Sequence, residues 1–166
     1  MAQRTSTPGP TGDYRHTQLA QARHALLGRP ASGGRRHTVA AALTLRLAGA
    51  GLLGWIGYIH WHLWQEGYKH IPTNGPLFLL DAIVAVALGL LLLTWPRPLA
   101  GLAGAAFTAA TILALIISLS VGLFGFRESI SASYVVQSLV LESVAVIVLL
   151  SWTAVTAAAV MRHRRP

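Results

Sequence analysis

"LFLLDAIVAVALGLLLLTWPRPLAGLAGAAFTAATILALIISLSVGLF", residues 77–124, holds two apolar runs of membrane-crossing length separated by little more than Pro96-Arg97-Pro98. Crossing about 30 Å of hydrocarbon takes roughly 20 mainly apolar residues in a helix. Both runs meet that length, are rich in Ala and Leu, and lack the alternation of a barrel strand, so helices are expected. The short link forces a tight antiparallel hairpin. Working outward, two further runs qualify, giving spans at about 39–61, 77–95, 99–123 and 135–160. Their connections, 62–76 and 124–134, are also short. The expected fold is all-α, an integral membrane four-helix up-down-up-down bundle.

Composition agrees, because 54% hydrophobic and 11% charged residues in a chain of 166 is too apolar for a soluble domain of that size. Twelve of the 13 basic residues are arginine, a bias that with the Ala, Gly and Leu content points to a GC-rich coding genome. The absence of cysteine excludes disulfides, thiolate metal sites and cysteine nucleophiles.

The arginines set the orientation. Arg4, Arg15, Arg23, Arg29, Arg35 and Arg36 precede the first span, Arg97 sits in the short link, and Arg162, Arg164 and Arg165 follow the last. The other side offers only Lys69 and Arg127, each beside a glutamate. Both termini are therefore expected in the cytoplasm, with the protein in the plasma membrane. The formal +8 marks sidedness, and no nucleic-acid partner is expected. Residues 1–38 read as a basic, largely disordered tail with a short helix over 14–28, residues 39–161 as the membrane domain, and 162–166 as a basic end. The Arg35-Arg36 pair fits a cleaved export signal poorly, so the first span is expected to stay.

Three ionisable residues fall within the spans. Arg46 is close enough to the cytoplasmic edge to snorkel back to it. Asp81 and Glu142 lie roughly 6 and 10 Å below the opposite interface at ~1.5 Å per residue, where an unpaired charge costs a few kcal/mol. Helical spacing turns both inward. Asp81, Ala85 and Gly89 form a small-residue stripe; Ser138, Glu142, Ala145, Leu149, Trp152 and Thr156 follow one side of span four. Gly104, Thr108, Thr111, Leu115, Ser118 and Gly122 trace the same spacing in span three. Asp81, Glu142, Ser138, Thr108, Thr111 and Ser118 are the candidate intramembrane polar site. Packing between helices accounts for the hydroxyls and glycines without a ligand.

The loop after span one, "IHWHLWQEGYKHIPTNGPLFLL" over 59–80, carries His60, His62, Glu66 and His70. His62, Glu66 and His70 share one helical face if the helix continues that far, a spacing compatible with a divalent metal; His60 points elsewhere. The alternative is an interfacial belt in which Trp55, Tyr58, Trp61, Trp64 and Tyr68 anchor the loop at headgroup level. Pro72, Asn74-Gly75 and Pro76 make it a structured cap over the bundle.

This loop and the start of span two resemble a group of small actinobacterial four-span integral membrane proteins, which share the His-x-x-Leu-Trp, Gly-Tyr, Ile-Pro-Thr and Gly-Pro-Leu-Phe-Leu-Leu pattern over 59–95. The resemblance implies the four-span architecture and supplies no activity, cofactor or catalytic residue.

Enzyme chemistry is not expected. Spans two to four contain no histidine for a transverse haem pair or a serine-protease base facing Ser118, Ser120, Ser138, Ser143 or Ser151. No HExxH or phosphate-cradling loop is present. No resident cofactor is expected, and the bilayer is the first partner. The primary expectation is a non-enzymatic interaction or accessory subunit, paired with another membrane protein or with itself. The alternative is proton- or cation-linked transport, or external metal binding, using Asp81, Glu142 and the His60–His70 rim.

Overall fold

The computed structural model describes residues 31–163, with side chains from 36 to 162. The tail before residue 31, with the expected helix over 14–28, and the end after 163 lie outside the described residues. Residues 38–163 form one compact unit. The described helices are α1 (Ala31–Glu66), α2 (Asn74–Thr94), α3 (Pro98–Ser120) and α4 (Val135–His163), with a 3-10 turn at Tyr68–His70. All four are long and apolar enough to cross a membrane.

The helix ends follow local chemistry. Gly67, at φ 153°, stops α1 five residues beyond the expected edge of the first span. Pro98 opens α3, where a missing amide hydrogen costs nothing. The chain enters both α2 and α4 through a left-handed residue that is not glycine, Thr73 at φ 67° and Tyr134 at φ 66°. The positive φ of this turn falls on Thr73 rather than on Asn74 or Gly75. Gly75 is needed for space: a Cβ there would meet the Tyr68 carbonyl oxygen at 2.7 Å and that of Lys69 at 2.9 Å.

Glycines also bring the helices together. Gly89 of α2 packs against the Ala50 carbonyl and Leu53 of α1, and Gly104 of α3 faces Leu149 and Leu53. Gly101 lies against Trp152 so closely that a Cβ would fall 2.6 Å from the indole ring. Leu53, Leu92, Leu149 and Trp152 are fully or nearly fully buried and centre the core. The inward stripes of spans two and four emerge as read, with Ala85, Gly89, Ala145, Leu149 and Trp152 all buried.

Arg46 does not simply snorkel. Its Nε donates to the Leu92 carbonyl at 2.9 Å and its Nη2 to that of Leu93. These carbonyls belong to the last turn of α2, where helix geometry leaves acceptors without partners and places negative partial charge. A half-buried cation thus fastens α1 to the end of α2.

Candidate functional site

The candidate site lies at the opposite end of the bundle from Arg46. A partly enclosed cavity of about 370 Å³ is bordered by the C-terminal parts of α1 and α3, the N-terminal parts of α2 and α4, and the two loops that join them. Asp81, Glu142, Thr111, Ser118 and Ser138 all line it. Thr108 does not: it is fully buried one turn deeper and donates to the Gly104 carbonyl at 2.9 Å. Five of the six polar residues picked out by helical spacing therefore share one space, and the sixth ties α3 to itself.

Glu142 is 2% exposed, and its Oε2 finds no hydrogen-bond partner among the described residues. Leaving a buried polar atom unpaired costs about 1–3 kcal/mol. Thr111 borders the same cavity, and its one hydroxyl hydrogen goes to the Thr108 carbonyl at 2.8 Å. Asp81 lines the cavity as well.

His60 approaches from α1. Its Nδ1 lies 2.9 Å from the Ile56 carbonyl, which only accepts, so Nδ1 carries the hydrogen and Nε2 faces Asp81 Oδ2 at 4.0 Å. Among the described residues, no arginine or lysine lines the cavity to neutralise its acids.

The mouth is built by residues that spacing on the spans does not reveal. In the loop after α3, Leu123 and Phe126 exchange backbone hydrogen bonds of 2.7 and 3.0 Å around Phe124-Gly125. Both central residues have positive φ, 51° and 79°, as a type I′ turn requires. Asn74 Nδ2 donates to the Leu123 carbonyl at 3.4 Å, and the Glu128 amide to that of Ser118 at 3.2 Å, so the loop folds back onto the bundle. Tyr68 then donates to Glu128 Oε2 at 2.5 Å, joining the two loops. Burial, with that hydrogen bond and the Glu128 charge, holds the Tyr68 phenol well above its ordinary range. Its ring packs on Phe78 at 4.4 Å and Phe126 at 5.8 Å. Gly122, Gly125 and the aromatic pair Phe124 and Phe126 are the sequence signals that could have pointed to this cover.

The remaining rim residues stay apart from the cavity. His62 pairs with Glu66 at 3.2 Å, stacks on Tyr58 and meets the edge of Tyr134. The row ends there, since α1 stops at Glu66 and His70 closes the 3-10 turn in an exposed position. Among the described residues no three His, Cys, Asp or Glu side chains are grouped to hold a metal ion. Trp55, Tyr58 and Trp61 face outward, whereas Tyr68, expected in the same belt, turns in to Glu128.

No protein family, no curated protein and no solved structure matches this chain.

Proposed function

We propose that this chain is a multi-pass membrane protein with a proton-linked cation site, in which Asp81 and Glu142 are the working carboxylates and His60 lies beside Asp81. The observation that carries the reading is the unpartnered Oε2 of Glu142 inside a cavity that also holds Asp81. A buried acid with an unpartnered oxygen, sharing its cavity with a second acid and with no Arg or Lys in the lining among the described residues, is suited to trading a proton for another positive charge. It is not suited to anions.

The cavity borders, C-terminal on α1 and α3 and N-terminal on α2 and α4, support an up-down-up-down course. With the arginine-rich segments in the cytoplasm, the cavity opens to the outside of the plasma membrane. The resemblance to actinobacterial four-span proteins fits the same arrangement.

Infrared titration of the protein in lipid tests this. As the buffer passes from alkaline to acid, protonated-carboxyl absorption should grow, and part of it should vanish in Asp81→Asn and part in Glu142→Gln. A signal unchanged in both variants removes the proposal.

The second reading is an interaction or accessory subunit. It is favoured by Gly51 and Gly54 on the outer side of α1, where a Cβ would meet nothing within 4 Å, so another helix could approach closely. The Asp81-Ala85-Gly89 stripe adds no support to it, because Ala85 and Gly89 are already buried against α1.

A further inference from the structure

We infer that the cation taken by this cavity is organic: a compact amine or quaternary ammonium with an aromatic or branched apolar body, its charged head at Glu142 and Asp81. This inference rests on the proton-linked reading above and names the ligand class of the same site.

The two halves of the lining define the two halves of the ligand. The floor is acidic, and Glu142 offers an oxygen with no other partner among the described residues. The walls are carbon. Phe78 on α2, Phe107 on α3 and Phe126 from the loop border the cavity with Leu63, Leu77 and Leu115. His60, Phe78, Tyr68 and Phe126 form a continuous chain of ring contacts at 4.4–5.8 Å along one side. Aromatic faces attract a cationic head whose own hydration is weak, and they cover an apolar body at no desolvation cost.

Other cations fit less well. Alkali and alkaline-earth ions need a shell of six or more oxygens to replace their water, and this lining is mostly apolar carbon. Transition metals need several imidazole or carboxylate ligands converging on one point, and no such group of three occurs among the described residues. A proton alone needs no volume, yet the space is about 370 Å³. Small-ligand pockets begin at about 300 Å³, so the space suits a one-ring ammonium rather than a large dye.

The test uses the full chain in lipid nanodiscs, with empty nanodiscs as the blank, and benzyltrimethylammonium as the probe. Its uncharged isostere, neopentylbenzene, reports what the apolar walls and the lipid retain without the charge. Saturable binding of the ammonium at least tenfold tighter than that of the isostere is expected in the unaltered protein, a result that needs no variant to fold. Glu142→Gln should weaken it at least tenfold, while Ser143→Ala, on an exposed part of α4, leaves it unchanged. Equal retention of charged and uncharged probes overturns the inference, as does full binding in Glu142→Gln. If the carboxyls titrate in infrared but the ammonium does not bind, the ligand class is wrong and the proton-linked reading stands. If they do not titrate, both fall.

Discussion

At the end of the bundle where α2 stops and α3 begins, four helices meet through Gly49, Gly101 and Gly104 against Leu149 and Trp152, and Arg46 closes the last turn of α2. At the other end the same helices surround a cavity, hold two acids and a histidine, and are spanned by loops with three non-glycine residues in the left-handed region. Such backbone positions cost about 1–3 kcal/mol each and persist only where surrounding structure imposes them. One end therefore supplies the rigidity that lets the other keep an unpaired carboxylate and a strained cover. The polarity follows the same division: at the packed end the half-buried Arg46 is bonded to backbone carbonyls, and at the open end Asp81 and Glu142 border a cavity.

The largest effect should come from disturbing the packed end. Gly101 has no room for a side chain, since a Cβ would already overlap the Trp152 ring and the Thr153 hydroxyl. Gly101→Leu should destabilise the protein by about 3 kcal/mol, read as a lower unfolding midpoint in mild detergent. Trp152 cannot move aside, being 2% exposed within the core. If the midpoint holds, the packed end is looser than the helix contacts indicate, and the comparison between ends loses its basis.

Glu142 tests the reverse proposition, that the open end is held at a cost to stability. Glu142→Met removes the orphan oxygen and fills similar volume with an apolar side chain. It should stabilise by about 2 kcal/mol, because a buried unpaired polar group is replaced by packing. The expected pairing is a higher unfolding midpoint with loss of the titrating carboxyl. A destabilised variant would mean that Glu142 is a structural group with a partner on which the fold depends.

The sequence makes one of these ends more legible than the other. Helical spacing alone turns Ala145, Leu149 and Trp152 inward, because one face of a helix must pack whatever its partners are. The same spacing puts Asp81 and Glu142 on inner faces but says nothing of their convergence, which depends on how far each helix slides along its neighbour. That slide is set by the loops. Tyr68 and Glu128 stand 60 residues apart, in segments where no period relates them, and their hydrogen bond exists only once both loops are folded. The His62-Glu66-His70 row fails as a geometric set for a local reason: it assumes a helix that Gly67 ends. Arg46 was legible as a charge near an edge, while its carbonyl partners on α2 belong to tertiary structure.

The smallest effect belongs to the cover. Tyr68→Phe keeps the ring contacts with Phe78 and Phe126 and removes only the hydroxyl that donates to Glu128. The loss should be about 1 kcal/mol, because both groups are half-exposed and water can replace part of the bond. The unaltered protein also carries a pH signature that the variant lacks. Burial and Glu128 raise the folded-state phenol above its ordinary value of 10.0, so folding favours the protonated form. The contribution is whole below pH 10 and is lost as pH rises above it, because the unfolded phenol ionises there and the folded one resists. Unfolding midpoints followed from neutral to strongly alkaline buffer should therefore fall more steeply for the unaltered protein than for Tyr68→Phe. The two curves should approach one another at the alkaline end. Parallel curves would show that the Tyr68 hydroxyl is solvated rather than held, and that the loop after α3 covers the cavity without being tied to the loop before α2.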